Sequence, residues 1–322
     1  MSGRELTVMI AMCAVWGFHF VVVKVALGEI PPIFYAALRM TLVAVLLAPL
    51  LKWRPGRMRE VLIAGLCLGA ANYAFMFTGL SLTTASSGAV AIELYVPFAT
   101  LLSVIFLKEK VGWRRIAGIA LAFTGVAIIA IFRGEAAGGN GATVSGLGIG
   151  LVAMAAMTEA FGAILVKRSE EFKPIELLAW FAVVGAAFLW PATLIVETGQ
   201  ADAVRDADKA LIVGAVAYSA IAASIFAHSA YYWLLRRLPV SQASSSALLA
   251  TIFAVICGVV ILGDRLSPTF FVGGLMTLAG VGVILMRTPD KPRVGAAPAH
   301  AAVGQSVDKG VDERVNDPVR QT

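Results

Sequence analysis

Ten stretches of about 20 predominantly apolar residues follow one another along the chain, at about 6–27, 32–51, 60–80, 86–107, 115–132, 145–167, 175–196, 210–235, 241–263 and 268–287. Runs of that length leave few folding options. Wound as an α-helix rising about 1.5 Å per residue, each crosses the roughly 30 Å hydrocarbon core of a bilayer with its backbone polar groups paired inside the helix. The composition argues the same way. Only 14% of residues are charged and 59% are hydrophobic, against roughly 25% charged in soluble domains. An ordinary soluble enzyme is excluded, and the fold class expected is an all-α membrane protein with ten transmembrane helices. Most connections are short, so consecutive helices are antiparallel neighbours; only 133–144 and 197–209 are longer. The first run is too long for a cleaved signal peptide and lacks a small-residue cleavage site, so it reads as an uncleaved span. From Thr288 the chain changes to Pro, Ala, Gly and mixed charge without an apolar period. That composition predicts a disordered tail over 288–322.

Lysine and arginine set the orientation. Lys52, Arg54, Arg57 and Arg59 follow segment 2, and Lys108, Lys110, Arg114 and Arg115 follow segment 4. Lys167, Arg168 and Lys173 follow segment 6, and Arg236 and Arg237 follow segment 8, which makes 13 basic residues on one side. The opposite loops carry only four: Arg133, Arg205, Lys209 and Arg265. The positive-inside rule then places both termini in the cytoplasm of a bacterial-type inner membrane. The net charge of +6 belongs wholly to the apolar part, since the tail holds five basic and five acidic residues. It therefore reads as a topology signal, and no nucleic-acid partner is expected.

The chain also repeats itself. WGFHFVVVK-x6-P at 16–31 recurs as EAFGAILVK-x6-P at 159–174, and Glu109, Gly118 and Gly125 match Asp264, Gly273 and Gly280 at a constant offset of 155. ASSGA at 85–89 resembles ASSSA at 243–247 with a three-residue slip. Five helices per repeat is an odd number, so the two repeats enter the membrane in opposite directions. The domains expected are 1–135 (helices 1–5) and 145–287 (helices 6–10), around a central cavity near the midplane. Inverted repeats of this kind are a common plan of secondary transporters.

These residues resemble a known family. Trp16-Gly17, Lys24, Pro31-Pro32 and Arg39 are similar to the opening of the EamA-domain transporters of the drug/metabolite transporter superfamily. LKEK at 107–110 and LGDR at 262–265 resemble the ends of two such domains, so the likeness runs from residue 6 to 287. The best resemblance is to amino-acid and metabolite exporters, including the O-acetylserine/cysteine type. It implies ten helices in two inverted domains and a cavity lined mainly by helices 1, 3, 4, 6, 8 and 9. Two departures stand out: Glu159-Ala160 where the first repeat has Trp16-Gly17, and Thr251-Ile252 where many relatives have a proline.

Titratable groups away from the ends of membrane helices are costly and need a reason. Glu93 lies near the middle of helix 4, four residues before Pro97. Because proline has no N–H, Glu93 is expected to present a released backbone carbonyl beside its carboxylate. The alternative is a buried ion pair with Arg39 in helix 2. His19 stands one helical turn from Trp16, an arrangement suited to a substrate ammonium by cation–π attraction, or else to simple packing. Glu159 is at the depth of the membrane centre, where a carboxylate suits either a proton relay or a neutral structural hydrogen bond. Ser224, His228, Tyr231 and Tyr232 form a polar stripe on helix 8, either lining the cavity or joining an aromatic belt. Asn72 and Tyr73 in helix 3 are a similar mixed case. Lys24, near its helix end, favours the dipole there and can snorkel to the interface. Gly65-x3-Gly69 and Gly146-x3-Gly150 are read as packing signals.

Other chemistries find no support in the sequence. No GxxxxGK[ST] loop offers nucleotide drive, and no HExxH or Cys/His cluster suggests a metal. Cys13, Cys67 and Cys257 lie in apolar runs and read as small buried hydrophobes. No cofactor is expected. The reading is a secondary transporter, an exporter of amino acids or related small polar metabolites by alternating access. Its partners are a small-molecule substrate, membrane lipid and protons, and its state a monomer or weak homodimer. Substrate contacts are assigned to Trp16, His19, Asn72, Tyr73, Glu93, Glu159 and His228, with Arg39, Pro97 and Lys24 in structural or charge-pairing roles. The alternatives are an intramembrane enzyme using His19, Glu93 and Glu159, and a channel or scaffold.

Overall fold

The structure is a computed structural model that describes residues 1–108, 111–132, 144–167, 171–235, 237–238 and 246–286, apart from the side chains of Leu107, Lys167, Tyr232 and Leu235. The expectations for the tail, for 133–143, for Glu109-Lys110, for Arg168, Arg236 and Tyr232 and for the serines at 241–245 lie outside the described residues. What is described is helical, with no strand.

The apolar segments become helices whose ends are set by local chemistry. α1 (Gly3–Ala26) starts at Ser2, whose hydroxyl accepts from the Glu5 N–H while the Glu5 carboxylate accepts from the Ser2 N–H. α2 (Pro32–Leu47) and α9 (Pro174–Val196) open with proline at the first helical position, where the missing N–H costs nothing. The third segment is α3 (Met58–Gly65), a π-helical stretch over Leu66–Ala71, and α4 (Asn72–Ser81). The fourth breaks into α5 (Ala85–Ile92), capped by Thr84, and α6 (Tyr95–Leu107), with the break at Glu93-Leu94. α7 (Trp113–Ile131) and α8 (Gly146–Lys167) follow. A short α10 (Gln200–Asp206), unforeseen in the sequence, lies in the 197–209 connection. Asp208 then caps α11 (Lys209–Ala217), which continues as a second π-helical stretch, Tyr218–Phe226, into α12 (Ala227–Leu235). Last come α13 (Ser246–Leu262) and α14 (Pro268–Leu285), the latter capped by Ser267.

Among the described residues nine helical spans are long and apolar enough to cross a membrane, and α13 is a further apolar helix of 17 residues. Large apolar side chains such as Ile195, Val260 and Leu275 are exposed on the outside. Inside, glycines bring backbones together. A Cβ at Gly118 would strike the Gly280 carbonyl and one at Gly280 the Gly118 carbonyl; Gly125 and Gly273 face each other in the same reciprocal way, so α7 and α14 cross closely. Gly69 likewise faces the backbone of Phe181 and Gly185 in α9. In the Gly146-x3-Gly150 motif, by contrast, Gly150 has no neighbour within 4 Å of a built Cβ. Gly148, which meets the Gly79 carbonyl, makes the approach on that helix instead.

Candidate functional site

Glu93 and Glu159 are carboxylates set well away from the ends of their helical spans. Glu93 is 5% exposed and sits at the break between α5 and α6, where Thr251 Oγ1 of α13 donates to its carboxylate at 2.5 Å. Glu159 of α8 is half-buried and accepts from Asn72 Nδ2 at 3.4 Å, while the same amide donates to the Ala155 carbonyl at 2.9 Å. Both contacts run between residues before 132 and residues after 144. The two carboxylates are also within electrostatic reach of each other.

The backbone at Glu93 corrects one expectation. Glu93 N–H bonds to the Val90 carbonyl at 3.3 Å and Leu94 N–H to the Ala91 carbonyl at 3.1 Å, a tightening of the helix into i→i−3 pairing. The same pairing lets Val96 N–H donate to the Glu93 carbonyl at 3.1 Å. Pro97 removes one donor, but the tightened turn supplies another, so the carbonyl is not released. Pro97 itself is buried at the start of α6.

Arg39 corrects a second. Among the described residues it has no carboxylate at ion-pair distance, so the Arg39–Glu93 pair does not form. Instead Nε and Nη2 donate to Ser224 Oγ at 3.3 and 2.9 Å, and Nη2 also donates to the Tyr73 hydroxyl at 3.2 Å. The guanidinium lies 4.2 Å from the centre of the Tyr73 ring and 5.7 Å from that of Phe77. Hydroxyls and ring faces thus take the place of the expected acid.

His19 and Tyr35 complete this cluster through Ser219. The Ala215 carbonyl can only accept, so Tyr35 donates to it at 3.1 Å. The Ser219 hydroxyl then donates to the Tyr35 oxygen at 2.5 Å, which leaves its lone pair to accept from His19 Nε2 at 3.0 Å. Ser224 Oγ in turn donates to the Ser219 carbonyl at 2.8 Å, a five-residue spacing that the π-helical stretch provides. The expected Trp16–His19 partnership is divided. Trp16 donates to the Ala223 carbonyl at 3.1 Å and packs edge-on to His228 at 5.5 Å, whereas His19 stacks with Tyr218 and meets Phe77. His228 Nδ1 faces the Ala223 and Ser224 carbonyls at 3.2 and 2.9 Å, so that nitrogen carries the proton.

Lys24 lies at the end of α1, partly exposed. Its ammonium caps the end of α4, donating to the Leu80 and Ser81 carbonyls at 2.8 and 3.2 Å. Beside it Asp264 accepts from the N–H and hydroxyl of Ser86 in the first turn of α5, at 2.9 and 2.7 Å.

Sequence reasoning overlooked Tyr35, Ser219 and Tyr218, and met Thr251 only as a departure from the family. Tyr35 was findable, because it precedes Arg39 by four residues and so shares its helix face. Ser219 was not, because the π-helical stretch changes which residues of that helix share a face.

A model of the family described as "EamA-like transporter family" matches residues 4–131 and 146–286. The chain belongs to that family. It is therefore a multi-pass membrane protein of a transporter family and not an enzyme. Among its relatives, the Escherichia coli (strain K12) protein named "Probable amino-acid metabolite efflux pump" is 27% identical over 307 residues, covering 92% of this chain and 100% of that protein. The Streptantibioticus cattleyicolor protein named "Probable terminal-alkyne amino-acid exporter" is 26% identical over 303 residues, covering 92% of this chain and 98% of that one. A solved protein structure shares the fold at a TM-score of 0.59 and 17% identity, covering 88% of this chain and 96% of its own.

Proposed function

We propose that the chain is a secondary exporter of amino acids or related small polar metabolites, working by alternating access in a bacterial-type inner membrane. The observation that carries this reading is the exchange of contacts at the two carboxylates, Glu93 held by Thr251 and Glu159 held by Asn72. Each carboxylate of one repeat is bound by the other repeat, so a rocking of the repeats would rebuild both contacts. Glu93 meets the substrate ammonium or a proton, and Glu159 carries a proton coupled to the cycle. Trp16, His19, Asn72, Tyr73 and His228 line the cavity.

Ten crossings in two inverted repeats, 1–135 and 145–287, fit the packing. Gly118 faces Gly280 while their repeat-mates Gly273 and Gly125 face each other, as a two-fold axis in the membrane plane requires. Membrane lipid solvates the exposed apolar surface, and the protein works as a monomer or weak homodimer. The names of the relatives support amino acids as cargo. The test is uptake of an L-amino-acid panel into inside-out vesicles, with and without an imposed pH gradient. Accumulation of an unchanged amino acid, raised by the gradient, is expected; no accumulation of any panel member over vesicles lacking the protein overturns the reading.

A further inference from the structure

We propose that Arg39 is the residue that recognises the carboxylate of the substrate. This inference rests on the amino-acid reading above. Arg39 is 2% exposed, and its Nη1 is buried without a hydrogen-bond partner among the described residues. The groups around it are Tyr35 on its own helix, His19 of α1, Tyr73 of α4, Ser219 and Ser224 of the π-helical stretch, and His228 of α12. None of them is an anion. A guanidinium cannot shed its proton, so it stands in the bundle as a cation with no counter-ion among the described residues, one of the costliest arrangements at membrane depth.

The remaining geometry is that of a prepared receptor. Ser224 and Tyr73 engage Nε and Nη2 and the guanidinium lies over the Tyr73 ring, so the fork is fixed before any ligand arrives. Only Nη1 is left to donate. Tyr73, His19 and His228 beside it are half-buried, unlike the enclosed Arg39, so the approach we infer for a ligand runs past these three side chains. A carboxylate entering there supplies the missing acceptor and the missing negative charge together. The neighbour of Tyr73 adds a second pole. Asn72, the preceding residue of α4, reaches Glu159. One turn of α4 therefore has the Arg39 cation on one side and, on the other, the carboxylate assigned above to the proton of the cycle.

The experiment compares free L-amino acids with the same compounds amidated at the carboxyl group. It uses ligand-induced thermal stabilisation of the purified protein and uptake into inside-out vesicles. Wild-type protein is expected to bind the free acids at least about 10-fold more tightly than the amides, the ratio a charge-assisted hydrogen bond supports. Arg39→Gln should lose that advantage, the acids falling toward the affinity of the amides, and Arg39→Lys should restore part of it. Equal affinity of wild-type protein for acid and amide overturns the assignment, and so does an Arg39→Gln protein that loses both alike. If Arg39→Gln does not fold, the wild-type comparison decides alone. Acids that accumulate without discrimination from amides refute Arg39 and leave the transporter reading standing. A panel in which nothing accumulates refutes that reading and this inference with it.

Discussion

Thr251 has one hydroxyl proton to give, and it gives it to Glu93. Thr251→Val keeps the shape and removes the donor, leaving a buried carboxylate without it. The thermal midpoint should fall by the equivalent of about 1–3 kcal/mol, and Thr251→Ser should recover most of the loss. Glu93→Gln keeps the volume and removes the charge; at equal amounts of folded protein, substrate flux should drop at least ~10-fold, about 1.4 kcal/mol. Wild-type flux from that variant would leave Glu93 a purely structural group. The two positions touch, so Thr251→Val and Glu93→Gln should be non-additive in stability, whereas Arg39→Ala and Glu93→Gln should add within about 0.5 kcal/mol. A large Arg39–Glu93 coupling would restore the ion pair that the geometry lacks. The sequence made both Arg39 and Glu93 conspicuous, because charges in apolar runs demand partners. It did not reveal which partners they take, since a hydroxyl or an aromatic face satisfies a charge without leaving an ionic signature.

At the scale of helices, the glycines of α7 and α14 were legible only as repeat partners at one offset; that they face each other and let the two helices cross closely is seen in the structure alone. Gly280 and Gly282 separate packing from propensity on a single helix. A Cβ at Gly280 overlaps the Gly118 carbonyl and the Ala122 backbone, while one at Gly282 meets nothing within 4 Å. Gly280→Ala should therefore destabilise by about 1–3 kcal/mol. Gly282→Ala should be neutral or stabilise by up to about 1 kcal/mol through helix propensity. Thermal melts of the two purified variants make the comparison, and equal midpoints would refute the close crossing. The π-helical stretches were not legible. LCLGAA at 66–71 and YSAIAASIF at 218–226 carry no residue pattern that sets them apart from the apolar α-helical segments. Both adjoin or contain site residues, Asn72 and Tyr73 after the first, Ser219 and Ser224 within the second. Such wide turns occur often at functional sites.

For the whole molecule, the parity of the crossings fixes where the ends lie, and α13 decides the parity. Its 17 residues span about 26 Å, a little less than the hydrocarbon core. Its neighbours show the course it takes beside α1. The Cys13 thiol donates to the Ser246 carbonyl, Gly17 abuts Phe253 and Ala254, and Asp264, just past the end of α13, is within electrostatic reach of Lys24 near the end of α1. The two helices thus run in the same direction and finish at the same level, which favours a full crossing by α13. The ion pairs agree with the loop charges: Lys52 and Arg54 meet Glu176 at 3.1 and 3.0 Å, joining the connection after segment 2 to the first turn of α9, two places that the positive-inside rule assigns to one side. Glu197, in the connection assigned to the other side, accepts from the Ile33 and Phe34 N–H groups at the start of α2, at 2.7 and 2.9 Å. Topology reporters fused at Gly56 and Thr288 should therefore both read cytoplasm, and fusions at Gly139 and Gln200 the periplasm. Gly56 and Thr288 are separated by eight crossings if α13 spans and by seven if it does not. A Thr288 fusion reading opposite to Gly56 would remove α13 from the membrane-spanning set, and with it the five-plus-five symmetry proposed above.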